Sequence, residues 1–111
     1  MQHYHVWCNL IDSRRDTEFA AAARAYLEFL RREGTLLDFR ITRRTLGFGP
    51  GDLGEFHLVL SFRDLAALDA TFGTVASRAG EVERLHAAVY SMVTGFRSAL
   101  YRDFPDPQRS A

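Results

Sequence analysis

Lysine is absent from this 111-residue chain, and all fourteen of its basic side chains are arginines. The absence removes two chemistries. No side-chain amine can form a Schiff base, and no Walker-type lysine can reach a phosphate. Cysteine occurs once, at Cys8, so no internal disulfide can form; that suits a reducing compartment and predicts a cytoplasmic protein. No apolar run approaches the roughly 20 residues of a membrane span. The opening Met1-Gln2-His3-Tyr4-His5 has neither a basic region nor a long apolar stretch, so no signal peptide is expected. Fourteen acids balance the fourteen bases, which leaves little electrostatic reason to follow a nucleic-acid backbone. Expected partners therefore include neither nucleic acid nor membrane.

What remains is globular. A hydrophobic share of 47% excludes disorder, and the length allows one domain. That domain is expected over residues 1–105, with Pro105 and Pro107 closing it and a short tail over 106–111. The arginine- and alanine-rich composition points to a GC-rich bacterial genome.

Residues 3–10 alternate, with Tyr4, Val6, Cys8 and Leu10 on one side and His3, His5, Trp7 and Asn9 on the other. This predicts a strand with the first set on the core. Asp16 can cap a helix from Thr17, on which Phe19, Ala22, Ala23, Tyr26, Leu27 and Leu30 recur at helical spacing until Gly34. Alternation returns over 36–46, with Leu37, Phe39 and Ile41 inward, and over 55–62, with Phe56, Leu58, Leu60 and Phe62 inward. Between them the turn-rich 47–54 segment makes a long hairpin. Asp64 can cap a second helix carrying Leu65, Leu68, Phe72, Val75 and Ala76 on one face. Gly80 breaks it, a further helix runs from Glu81 to about Val93, and Gly95 precedes a last strand over 96–103.

The order βαββαβ predicts an α+β, ferredoxin-like fold: a four-stranded antiparallel sheet, order 4-1-3-2, with helices on one face. The other face then carries His3, His5, Trp7, Asn9, Asp38, Arg40, Thr42, Arg44, Glu55, His57, Val59 and Ser61. Trp7 and Val59 would leave apolar area in water there, so two copies packed face to face would cover it. A homodimer is the expected state.

The strand His3-Tyr4-His5-Val6-Trp7-Cys8-Asn9-Leu10 and the segments Arg43-Arg44-Thr45-Leu46-Gly47-Phe48-Gly49-Pro50, Leu53-Gly54-Glu55-Phe56-His57 and Leu100-Tyr101-Arg102-Asp103-Phe104-Pro105 resemble an uncharacterised family of small bacterial proteins. That family resembles part of the dimeric α/β-barrel superfamily. The resemblance spans nearly the whole chain and implies a dimeric barrel. The superfamily includes cofactor-free monooxygenases, haem-degrading enzymes, dye-type peroxidases and small-ligand binders, and a fold alone does not choose among them.

The expected site lies between the two sheets. His57 and His5 are the candidate acid–base residues, since imidazole exchanges protons near neutrality. Trp7 offers a stacking surface, Arg40 or Arg44 could hold a carboxylate or phenolate, and Asn9 and Ser61 complete the polar lining. Such a set, with no cofactor, suits a cofactor-free oxygenase acting on a small organic molecule. The competing reading is a non-catalytic dimeric module, with Asp38 and Glu55 paired to Arg40, Arg44 or Arg97 in a structural network. His3, His5 and His57 could suggest a three-histidine metal site, but antiparallel pairing sets His5 and His57 diagonally, about 7–8 Å apart at Cα, with His3 farther off; no metal is expected. Gly49-Pro50-Gly51-Asp52-Leu53-Gly54 matches G-x-G-x-x-G literally, but it precedes a strand and opens no helix, so it is not a dinucleotide fingerprint. It reads instead as a hairpin tip, a lid or an arm. Cys8 reads as a buried small hydrophobe, and His86 as a core histidine.

Overall fold

In the computed structural model, which describes residues 1–106, the first alternating segment is strand β1, Gln2–Leu10. A 3-10 turn over Ser13–Arg15 leads into helix α1, Asp16–Glu33. Strands β2, Asp38–Arg43, and β3, Phe56–Phe62, form the hairpin. Helices α2, Leu65–Ala76, and α3, Gly80–Tyr90, then lead to β4, Val93–Arg102. The sheet order is β2-β3-β1-β4 with antiparallel pairing throughout, the ferredoxin-like arrangement expected from the element order. None of the described helices is long and apolar enough to cross a membrane. The tail predicted over 106–111 falls, from Pro107 on, outside the described residues.

Strand parity sets the two faces. Cys8, Phe56, Leu58, Leu60 and Phe62 are buried against Phe19, Ala23, Leu27 and Leu30 of α1, and Phe19 meets Phe56 edge-on at 5.0 Å between ring centroids. Each such leucine or phenylalanine stabilises the fold by about 1.5–3 kcal/mol through removal of apolar area from water, and Ala23 and Cys8 by less. Asp64 caps α2 as expected, its carboxylate accepting the Ala67 N–H at 2.8 Å.

Several local expectations need correction. β2 is shorter than 36–46: Leu36 is 3% exposed while Leu37 is 48% exposed, because the chain is still turning out of α1 there and strand parity starts at Asp38. Leu65 is 57% exposed, and Thr71 is the buried residue of α2 beside Leu68. Asp16 does not precede α1 but begins it, its carboxylate bonding Thr17 N–H and Arg43, while Asp12 caps the preceding 3-10 turn. α3 ends at Tyr90 and β4 begins at Val93, three residues early, because Gly95 does not stop the strand. It has φ +65° and lies where the β1–β4 register shifts between Trp7 and Asn9, so it forms a bulge inside β4.

Candidate functional site

The open face carries the residues that parity assigned to it. Trp7 pairs with His57 across β1 and β3, His5 with Val59, and His3 with Ser61; on β2, Thr42 lies opposite His57 and Arg40 opposite Val59. The diagonal that separates the His5 and His57 backbones is closed by their side chains. His5 Nδ1 and His57 Nε2 are 2.9 Å apart and share a hydrogen bond. Trp7 lies parallel to His57 at 4.8 Å and 3°, and Tyr101 meets His5 edge-on at 5.1 Å. Tyr101 pairs with His3 on β4, a strand from which sequence reasoning assigned no residue to the open face.

The dyad has a simple acid–base logic. One neutral ring must donate the shared hydrogen and the other must accept it. Whichever does so, one outer nitrogen, His5 Nε2 or His57 Nδ1, then bears a proton and the other a lone pair. Partial burial lowers the His5 pKa below its ordinary value, with the neighbouring His3 adding to the effect. Partial burial likewise lowers that of His57, with His5 as the second cause. Both shifts favour the neutral rings, and in that state the pair presents one donor and one acceptor.

The other predicted residues scatter. Asn9 Oδ1 accepts the Glu55 N–H at 2.9 Å and ties the end of β1 to the start of β3. Arg44 is spent on the hairpin loop, donating to the carbonyls of Leu53 at 2.7 Å and Pro50 at 3.0 Å. Arg40 is exposed and forms no ion pair among the described residues. Glu55 pairs with Arg43, Asp38 with Arg31 and Arg97 with Asp52, so the ionic network exists with partners other than those expected. Ser61 Oγ lies 2.9 Å from His3 Nδ1, and His3 Nε2 lies 2.7 Å from Asp103, whose carboxyl is lowered by His3 and by the Met1 amine. The order Ser–His–Asp is that of a hydrolase relay. However, the central strands β1 and β3 spend their backbone N–H groups on neighbours at both sides, so none converges on an oxyanion at Ser61. The relay fastens the sheet end instead. No cluster of three or more metal-ligating side chains occurs among the described residues.

A cavity lies on each face of the sheet. A cleft of about 200 Å³ on the open face lies between Trp7, Thr42 and His57 on one side and Arg44, Phe48 and Pro50 of the hairpin loop on the other. The larger space, about 400 Å³, lies on the opposite face, under the helices. Its size is that of small-molecule sites. Tyr4, Tyr26, Phe72, His86 and Tyr90 give it aromatic walls, and no lining side chain is an acid or an arginine. Burial pushes the Tyr26 phenol up to about 12 and the Cys8 thiol up to about 11, so both stay neutral. Thr71, at the same wall, is satisfied by the Thr35 hydroxyl at 2.7 Å. His86 stacks on Tyr90 at 5.8 Å and sits 5.5 Å from the Tyr26 ring. Tyr26 and His86 in this wall stand on otherwise apolar stripes of α1 and α3.

Comparison with known proteins bears on this geometry. A family model described as a family of unknown function, DUF6614, matches residues 1–111. No curated protein matches the chain in sequence. Among solved structures, SnoaB from Streptomyces nogalater, described as a cofactor-independent oxygenase, superposes with a TM-score of 0.69 at 10% identity, over 95% of this chain and 97% of that one. A dimeric ferredoxin-like protein of unknown function from Jannaschia sp. CCS1 gives 0.66 at 17% identity, over 93% and 100%. An antibiotic biosynthesis monooxygenase gives 0.61 at 18% identity, over 95% and 100%. At these identities the likeness is one of fold.

Proposed function

The chain belongs to this family of unknown function, DUF6614, and on that premise we propose that it works as a homodimer joined through the open sheet faces, each protomer binding a small, flat, largely apolar organic molecule under its helices and oxidising it with dioxygen without a cofactor. The observation that carries the reading is the 400 Å³ aromatic cavity with one imidazole in its wall. The described character of SnoaB and of the Jannaschia dimer supports the reaction type and the dimer. A free, buried Cys8 thiol fits a cytoplasmic setting.

The chemistry asks little of the protein. His86 takes the proton of a phenolic substrate, and the uncharged walls keep water away from the electron-rich ring that results. That ring reduces dioxygen and binds it as a hydroperoxide. Loss of water from the hydroperoxide leaves a quinone, so one dioxygen yields one ring oxygen and one water.

Oxygen uptake with a panel of naphthols and hydroquinones tests this. Uptake that saturates with substrate and is lost in His86→Gln is the expected result. No uptake and no ligand-induced rise in melting temperature across the panel would overturn it, and would leave a non-catalytic dimeric module. A second reading seats the ligand between the sheets, on Trp7, with His57 and His5 as acid and base. It is favoured by the 2.9 Å contact between the two imidazoles and by the adjoining cleft. It requires uptake to be lost in His57→Gln and kept in His86→Gln.

A further inference from the structure

The loop between β2 and β3 holds two large apolar side chains out in solvent: Leu46 is 88% exposed and Phe48 is 83% exposed. The loop is nonetheless braced at many points. Arg44 bonds the Pro50 and Leu53 carbonyls, and its own N–H donates to the Glu55 carbonyl at 2.8 Å. Phe48 N–H closes a turn on the Thr45 carbonyl at 3.0 Å. Gly49 rests on the Arg44 guanidinium so closely that a Cβ there would fall 2.7 Å from Nε. Gly54 lies against the Cys8 backbone, where a Cβ would fall 2.5 Å from three main-chain atoms. From β4, Arg97 reaches the Asp52 carboxylate at 2.9 Å.

Leu46 itself takes φ +55°, a left-handed conformation that a side chain with a Cβ disfavours. Backbone strain of this kind persists only where the surroundings impose it. Here the result is a stiff projection whose tip is apolar and touches nothing of its own protomer's core. It is continuous with the open sheet face, since Phe48 walls the same cleft as Trp7, Thr42 and His57. A rigid apolar projection beside an unpartnered face is the shape of an interface arm, already ordered before it binds.

We infer that Leu46 and Phe48 form an arm that packs against a second copy of this chain at the margin of the sheet-to-sheet seam. The inference rests on the dimer proposed above and adds to it the element that holds the two copies together. Two-fold symmetry places the arm twice in each dimer, so a substitution in it acts twice.

Fluorescence-detected sedimentation over a dilution series, from micromolar to nanomolar protein, tests it. Three forms are compared: the natural chain, the double variant Leu46→Ser/Phe48→Ser, and Leu65→Ser as an exposed apolar control on α2. The expected result is a dimer whose dissociation constant rises about 100-fold or more in the double variant and stays unchanged in the control. A dimer equally tight in the double variant overturns the arm and leaves the dimer standing. A natural chain that is monomeric at micromolar concentration overturns both. Far-ultraviolet circular dichroism checks that the double variant keeps its fold, which is expected because both side chains are more than four-fifths exposed in the protomer.

Discussion

The two faces of one sheet obey the same alternation and solve different problems. On the helix side, Phe56, Leu58, Leu60 and Phe62 are fixed by volume: they fill the layer under α1, and what they do not fill becomes a cavity. On the open side, between them in sequence, His57 is fixed by contacts with Trp7 and His5, and Ser61 by its hydrogen bond with His3. A close-packed face tolerates little change in size, whereas a paired face tolerates size but not loss of a partner. The difference separates volume-filling side chains from partner-dependent ones, and under the proposed function it would divide stability, ligand binding and association among them.

Substitution along β3 should show the contrast most sharply. Phe62→Ala, at a fully buried site, should cost about 4 kcal/mol in urea unfolding, and Val59→Ala on the other face about 1 kcal/mol or less. Equal losses at the two sites would break the comparison. At the edge between the faces, Gly54→Ala should cost about 3 kcal/mol, because its Cβ would meet the Cys8 main chain at 2.5 Å.

Filling the cavity should separate binding from stability. Val75→Phe, from α2 into the cavity, should weaken binding of a naphthol probe at least about tenfold while the melting temperature changes little. Probe binding that survives it would move the ligand site to the open face.

The histidine pair predicts a pH dependence with a definite sign. The folded pKa values of His5 and His57 lie below the ordinary 6.5, so below that pH the unfolded chain binds more protons than the folded one. Melting temperature should therefore fall as pH drops below about 6.5, with no contribution from the pair above it. The double variant His5→Gln/His57→Gln should flatten that slope; an unchanged slope assigns it elsewhere. The smallest effect is expected at Arg40→Ala, within about 0.5 kcal/mol, since the side chain is exposed and forms no ion pair among the described residues.

Much of the fold was legible because period-2 alternation in β1 and β3 is strict, and because Asp64 and Gly34 mark helix ends. The register placing Trp7 opposite His57 followed from topology alone. Legibility failed where backbone geometry departs from the regular period. The bulge at Gly95 hid the first three residues of β4, and the turn after α1 exchanged the places of Leu36 and Leu37. For the site, sequence brought His5, His57 and Trp7 together but could not show that Arg44 and Asn9 are occupied by the loop and by Glu55. Nor could it show the cavity under the helices. A cavity is space left over by packing, and no residue pattern encodes a volume directly.

Trp7 is the sole tryptophan and lies on the open face, so iodide quenching of its fluorescence across a protein dilution series reports directly on the division of labour between the faces. Quenching that is weak in concentrated protein and grows several-fold on dilution, as the covering copy leaves, is the predicted result. Strong quenching at every concentration would mean that this face is bathed in water, and would contradict the assignment of the open face to association.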